Sequence, residues 1–526
     1  MQFTHNKSLP LGTSTFQVLR DENEIYVDKT HLIFELCKRR NKIFLSRPRR
    51  FGKSLLVSTF ESLFRYGLRD FSGLAIEKIW SDGIYRVATL DFSVIKDFET
   101  FDDFASQLHS QLAIGFRSAG YTGNGDFTDF QVWFSQQPGN SIVLLIDEYD
   151  APLTACLDRP ELFSAVQRHL SRFFSRIKSL EGCLRFFFMT GITKFSNTGI
   201  FSGFNNLYDI SLASEYGSIL GYTEFEIRKY FGEYITQAAL TLNCTEDEIM
   251  RQLKKHYNGF CFDENASQRV YCPWSVLNFF FSPVRGFQNY WYQSGGRPTV
   301  LMKYLADHEL ADPASYAQPH LMRFDDVRLS SDYQSLRPEA LLFQAGYLTI
   351  RSILDKETVE LGYPNEEVSE SMARLYAYEL LGGKIYRRNG PSLMTLLELS
   401  DLDEIVKRFN DVFNAIDYHR YPVRDEATCR GFLQVLMIGA DAVPSVEFHT
   451  ALGRSDIQVD VGARRLVFEL KYVQKDSEAP KVLGDGVRQA RERRYGETYG
   501  SPAQTLLRSV LVFSAESRRF VCWASA

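Results

Sequence analysis

"FLSRPRRFGKSLLVSTF", residues 44–60, holds a short apolar run, a turn with three arginines, and then apolar residues at helical spacing. With "NKIFLS" (41–46) the run reads as a buried strand, and "SLLVSTFESLFRYG" (54–67) reads as a helix. Between them Gly52-Lys53-Ser54 closes a phosphate-binding loop, with Arg47 where such a loop usually begins with glycine. The chemistry needs backbone N–H groups gathered at a helix N-terminus, where the dipole favours phosphate. Gly52 permits the turn, Lys53 is placed to reach the β- and γ-phosphates, and Ser54 is placed to ligate Mg²⁺.

Working outward, "SIVLLIDEYD" (141–150) is an apolar strand that ends in Asp147-Glu148. Burying unpaired carboxylates is expensive, so the pair needs a partner. Beside the loop, Asp147 is placed to hold the Mg²⁺ shell and Glu148 to polarise an attacking water. A third strand, "CLRFFFMTG" (183–191), carries Thr190 near its end, where a polar residue senses the γ-phosphate; Thr193 and Lys194 are the other candidates. "ATLDFS" (88–93) is a further core strand, and its Asp91 reads as structural rather than catalytic.

The rest of the chain is bounded by its composition. At 526 residues it exceeds one core, and 44% hydrophobic with 24% charged residues is an ordinary globular mixture. A net charge of −5 gives no global attraction to nucleic acid or membrane, so any such surface is local. Eight scattered cysteines and nine histidines show no metal-ligand spacing, as expected of a reducing compartment without a zinc site. No apolar run is long enough to span a membrane, and "MQFTHNKSLPLG" lacks a signal-peptide core; a cytoplasmic protein is expected.

In the middle, "TEFE" (223–226) has the form of a capping box and "TEDEIMRQLKKHY" (245–257) carries a second helix-start signal. A helical lid with a winged-helix-like region is expected there. The aromatic run "FFFSPVRGFQNYWYQSGG" (279–296) is read as core packing in preference to a base-stacking platform, and "RRNGPS" (387–392) as a boundary region.

Toward the C-terminus, "DIQVDV" (456–461), a turn at "GARR", and "LVFELK" (466–471) form a hairpin. Glu469 and Lys471 are two apart and share a face, and Asp456 lies on the partner strand, so the three converge. Asp456, Glu469 and the Leu470 carbonyl supply hard oxygen ligands for Mg²⁺, and Lys471 is placed to position water for phosphodiester hydrolysis. A cross-strand salt bridge on a solvated face fits the same pattern. Glu426, in the first turn of the helix "RDEATCRGFLQVLMIGA" (424–440), is a further candidate ligand. "DGVRQARERRYGETY" (485–499) is a basic helix with Gln489 facing the site at its start. Residues 421–526 carry a net +2 against −7 for the remainder; Arg488, Arg491, Arg493 and Arg494 form a basic stripe for DNA or a plain solvated face.

The runs "LPLGTSTFQVLRDENEIYVDKTHLI", "RPRRFGKSL", "LLIDEYDAPL", "TGITKFSNTGIFSGFNNLYDISL" and "GYTEFEIRKYF" together resemble the AAA-ATPase-like family, whose loop pattern itself begins with arginine. The likeness continues through "HYNGFCF" (256–262), "VYCPWSVLNFF" (270–280), "LLFQAGYLTI" (341–350) and "GYPNEEV" (362–368). It implies that Arg47, Arg49 and Arg50 surround the triphosphate, one of them as an arginine finger or all as loop anchors to acidic neighbours. Tyr26, Asp28 and Lys29 match the family's "YVDKT" element without a role that the sequence assigns. Gly453-Arg454-Ser455-Asp456, Glu469-Leu470-Lys471 and Gln489 resemble the PD-(D/E)XK nuclease pattern, with Ser455 in place of its usual proline.

The expected architecture is α/β in three parts. These are an AAA-ATPase-like P-loop domain with a parallel sheet (1–214), a helical lid and winged-helix-like region (215–370), and a restriction-endonuclease-like α/β nuclease domain with its leading helices (371–526). The expected activity is an ATPase coupled to a Mg²⁺-dependent nuclease, with ATP and Mg²⁺ as cofactors and nucleic acid, DNA before RNA, as partner. A nucleotide switch whose C-terminal domain binds nucleic acid or a protein without cutting stays open beside it, as does a scaffold with vestigial sites.

Overall fold

The computed structural model describes residues 7–38, 42–195, 206–293, 318–328, 337–381, 391–442, 444–450, 453–497 and 505–526. They divide into two compact units whose main boundary lies between Ser369 and Glu370, so the described residues of 215–369 cluster with the P-loop sheet. Of the boundary segment read at 387–392, residues 387–390 lie outside the described residues.

The first unit is built on a five-stranded sheet of β1 (Lys42–Ser46), β2 (Arg86–Asp91), β3 (Ile142–Asp147), β4 (Leu184–Gly191) and β5 (Tyr208–Asp209). The order is β2-β3-β4-β1-β5 and every pairing is parallel. β3 and β4 are buried throughout, which explains their continuous apolar sequence where an edge strand would alternate. Helices α1 (Lys53–Tyr66), α2 (Phe101–Arg117) and α3 (Pro160–Ser179) connect the strands. The register sets Asp91 beside Asp147 and Ser46 beside Gly191, so the carboxyl ends of the strands form one rim.

Four further helices follow: α4 (Glu224–Tyr230), α5 (Gly232–Leu242), α6 (Glu246–Tyr257) and α7 (Pro273–Phe281). Thr223 and Glu226 close the expected reciprocal capping box, and the Thr245 hydroxyl accepts from Glu248 N–H. Their apolar faces share one core that also takes in Ile25 and Val27 from the N-terminal segment. The aromatic run packs into this core through Phe279, Phe280 and Tyr290, while Trp291 is also buried. Beyond it come β6 (His320–Arg323), α8 (Pro338–Ala345), β7 (Thr349–Ile353) and β8 (Thr358–Gly362), the strands forming an antiparallel sheet ordered β6-β8-β7.

The second unit holds α9 (Leu402–Phe413), α10 (Glu426–Gly439), β9 (Ser445–Thr450), β10 (Gly453–Val461), β11 (Arg464–Val473), α11 (Ala479–Glu492), β12 (Thr505–Ser514) and β13 (Arg519–Ser525). The sheet runs β13-β12-β11-β10-β9, antiparallel except for the central β11–β12 pair. The β10–β11 turn is two residues, Gly462-Ala463, with Gly462 at φ 56°; Arg464 and Arg465, read as turn, already belong to β11. α11 begins at Ala479, six residues before the expected start, so Gln489 lies in its last turn and not its first. Pro480 in the first turn sets that start, since its missing N–H is needed by no helical partner there.

Candidate functional sites at the two sheet edges

The phosphate loop runs from the end of β1 to Gly52, the N-cap of α1, at φ 92°. A side chain at that dihedral is strained, so glycine is required. Arg50 adopts φ 69°, an uncommon left-handed turn for a non-glycine residue. Lys53 Nζ donates to the carbonyls of Arg47 and Pro48, both at 3.0 Å, folding the amine into the loop's mouth. Burial draws the Lys53 pKa down, against the pull of Asp147, Glu148 and Asp150.

At the end of β3, the Asp147 carboxyl is pushed up by burial and held back by a hydrogen bond from Ser54 and by Lys53. Ser54 and Asp147 therefore lie side by side at the mouth of the loop. Glu148 turns out of the strand at φ 51° and lines the cleft above the loop. Burial pushes its carboxyl up too, with Lys53 and Arg49 opposing. The cleft has a volume of about 480 Å³, within the range of small-ligand sites.

Arg47 is a correction to the expectation. Its side chain is 1% exposed and does not line this cleft. It donates to the carbonyls of Ser46, Ser211 and Tyr216 at 2.9, 2.6 and 3.2 Å and stacks on Phe262. It anchors the loop through carbonyls and not through acidic neighbours. Phe51 packs edge-on against Phe260 and Phe262, and Arg50 lies 4.2 Å over the Trp274 ring. The loop is thus clamped to the helical region; Arg49 and Arg50 both line the cleft, and Arg49 stands exposed beside Lys53 and Glu148. Replacing Arg47 with methionine leaves three carbonyls short of a donor and is expected to cost about 2–4 kcal/mol of unfolding free energy in urea. Arg49→Met is expected to shift it by less than about 0.5 kcal/mol.

Thr190 is a second correction. It is fully buried, and its hydroxyl donates to the Leu45 carbonyl at 2.8 Å, joining β4 to β1 inside the sheet. It is not at the cleft. Lys194 is ion-paired with Asp209, and Thr193 N–H donates to Asp150 Oδ2 at 2.6 Å. The wall opposite the loop is supplied by segments the sequence left without a role. Tyr26 and Lys29 line it with Tyr222 and Trp274. Lys29 Nζ meets both Glu226 oxygens at 2.6 and 2.7 Å, and Asp28 caps Thr30 N–H at 2.8 Å while accepting Ala75 N–H at 2.7 Å. The "YVDKT" element therefore fastens the N-terminal segment to α4. The recurrence of Glu226 as both cap and ion-pair acceptor was invisible without coordinates.

In the second unit, β10 and β11 pair from Val461–Arg464 to Ile457–Phe468, which brings Asp456 alongside Glu469. Both are buried, at 7% and 3% exposure. Leu470 N–H donates to Asp456 Oδ2 at 2.8 Å. Lys471 Nζ lies 2.9 Å from Glu469 Oε1 and 3.7 Å from Glu426 Oε1. Gln489 Nε2 donates to Glu469 Oε1 at 3.3 Å and to the Tyr495 hydroxyl at 3.1 Å. Gln489 reaches in because α11 approaches β12 closely at Gly486, where a Cβ would lie 2.8 Å from Val510 Cγ1.

Burial, then the neighbouring Asp456 carboxylate, pushes the Glu469 carboxyl up to about 7. Its Oε2 is buried without a hydrogen-bond partner. An orphaned carboxylate oxygen beside a second buried acid and a lysine is a donor set that suits a divalent cation. Among the described residues no three His, Cys, Asp or Glu side chains gather into a ready cage. Two carboxylates with a backbone carbonyl still match Mg²⁺, which keeps several of its waters. Of the basic stripe, Arg488 pairs with Asp485 and Arg494 with Glu497, while Arg493 donates to Tyr495. Arg491 is exposed at the end of α11.

A parallel sheet ordered around a Gly-Lys-Ser loop, and a second sheet with Asp…Glu-x-Lys on two adjacent inner strands, define a P-loop ATPase-like protein carrying a nuclease-superfamily domain. The family model described as predicted AAA-ATPase matches residues 10–201, and that of the PD-(D/E)XK nuclease superfamily matches 432–523. A protein of Azotobacter chroococcum mcd 1, described as an uncharacterized protein in the vnfD 5′ region, is 30% identical over 532 residues, spanning 98% of each chain. The chain belongs to the same family as that protein. No helix among the described residues is long and apolar enough to cross a membrane.

Proposed function

We propose that the chain is an ATPase whose nucleotide cycle controls a Mg²⁺-dependent nuclease acting on nucleic-acid phosphodiesters, DNA in the first instance. The observation that carries the reading is the partnerless, buried Glu469 Oε2 beside Asp456 and Lys471. In the first unit, Lys53 would exchange the Arg47 and Pro48 carbonyls for the triphosphate, and Ser54 and Asp147 are the groups that would hold Mg²⁺. Glu148 orients the attacking water, and Arg49 faces the charge that develops on the γ-phosphate. Phe51 and Arg50 transmit loop position to the helical region through Phe260, Phe262 and Trp274.

In the second unit, Asp456, Glu469 and the Leu470 carbonyl are the groups that would hold Mg²⁺, with Glu426 as a further oxygen donor. Bound there, the ion supplies charge stabilisation to the phosphate and a more acidic water. Lys471 positions that water, and Gln489 fixes the Glu469 carboxylate so that Oε2 faces the site. One observation favours the rival reading of a switch that binds without cutting: Arg430 Nη1 stands 3.3 Å from Asp456 Oδ1, where an ion would coordinate.

A cleavage screen separates the two. Duplex DNA, single-stranded DNA and RNA are incubated with Mg²⁺ or Mn²⁺, with and without ATP. The expected result is metal-dependent scission of DNA whose rate ATP changes by roughly 5- to 100-fold. ATP turnover with metal-independent DNA retention and no scission would establish the switch instead.

A further inference from the structure

Both oxygens of Asp456 are engaged. Oδ2 accepts Leu470 N–H at 2.8 Å, and Oδ1 faces Arg430 Nη1 at 3.3 Å. Glu469 differs: its Oε1 accepts from Lys471 and Gln489, and its Oε2 has no partner. A divalent ion approaching the pair therefore finds Glu469 open and Asp456 closed. Leu470 N–H belongs to the sheet backbone and has no freedom to withdraw. Arg430 sits at the end of a long side chain on α10, one turn beyond Glu426 and on the same helix face, and is the group able to move.

We propose that Arg430 is a positioning residue that neutralises Asp456 before metal arrives, yields Oδ1 to the ion, and then turns its guanidinium to a phosphate of the nucleic acid. The inference rests on the nuclease reading of this site. Charge balance supports it. With all three carboxyls ionised, as a bound cation favours, Glu426, Asp456 and Glu469 face Arg430 and Lys471, a net single negative charge among these five groups. Adding a divalent ion without losing either cation leaves a net single positive charge, which one phosphodiester cancels. Arginine is suited to the second task because its planar fork pairs with phosphate through two parallel hydrogen bonds. Lysine in its place keeps the charge and loses the fork.

The test is Mn²⁺ binding to the full chain without nucleotide, followed by the electron-spin resonance of free Mn²⁺. Asp456→Asn serves as the blank for ions bound elsewhere. Arg430→Gln is expected to bind Mn²⁺ on the order of tenfold more tightly than the parent, because a fixed positive charge has been removed from beside the ion. At saturating Mn²⁺ its KM for DNA is expected to rise by a similar factor, with Arg430→Lys close to the parent in Mn²⁺ affinity and between the two in KM. Unchanged or weaker Mn²⁺ affinity in a variant that melts with the parent overturns the role of Arg430 and leaves the nuclease reading standing. A parent with no Asp456-dependent Mn²⁺ binding overturns both. If Arg430→Gln melts early, Arg430→Lys, which keeps the charge and loses the fork, carries the decision: a raised KM for DNA at parental Mn²⁺ affinity supports the proposal, and a parental KM overturns it.

Discussion

Replacing Glu469 with glutamine is expected to slow metal-dependent cleavage by roughly 10³-fold, about 4 kcal/mol of activation free energy. The reason is local. Glu469 is 3% exposed, and the oxygen opposite its Lys471 contact has no partner, so under the proposed reading it is the oxygen open to a metal. Glutamine fits the same space with the charge removed. The melting temperature in chelator is therefore expected to equal or exceed that of the parent, since a poorly solvated carboxylate has been taken out of the interior. Activity falling while stability holds is the signature of a metal ligand. Lys471→Ala is expected to lose a comparable factor without weakening Mn²⁺ binding, because its amine acts on water. Either variant cleaving at the parental rate would remove the nuclease assignment.

Lys53→Ala is expected to lower ATP turnover by at least about 10²-fold and to weaken ATP binding, leaving Mg²⁺-dependent cleavage without ATP intact. Lys53 is buried at 7% exposure, and its partners are two loop carbonyls at 3.0 Å, an arrangement that holds the amine ready for a triphosphate. Removing the amine leaves two loop carbonyls short of a donor, a cost of about 1–3 kcal/mol confined to the loop, so the variant is expected to fold. Its decisive property is the loss of the ATP effect on cleavage. Under the gating proposal, parent and variant cleave alike without nucleotide and diverge when ATP is added. Turnover at the parental level would show that the triphosphate sits elsewhere.

These two sites were legible in the chain for a shared reason: each depends on residues close together in sequence. Gly52-Lys53-Ser54 act through one turn and the first residues of one helix. Glu469 and Lys471 share a strand face because side chains alternate, and the two-residue turn at Gly462-Ala463 brings Asp456 back alongside. The Thr223–Glu226 capping box is equally local.

What sequence patterning left undecided was every question of which distant group occupies a neighbour's space. Arg47 looked like a phosphate ligand until Ser211, Tyr216 and Phe262, more than 160 residues away, took its hydrogen-bonding and stacking capacity. Thr190 looked like a sensor until the β1–β4 pairing offered it the Leu45 carbonyl. Gln489 reached Glu469 from the end of its helix because α11 starts at Ala479 and closes on the sheet at Gly486. The Arg430–Asp456 contact and the Lys29–Glu226 latch had no signal of their own, being charged residues among many. Periodicity and turn chemistry are written in neighbouring residues and survive without a partner. A long polar side chain is free to satisfy itself in several directions, and packing chooses among them.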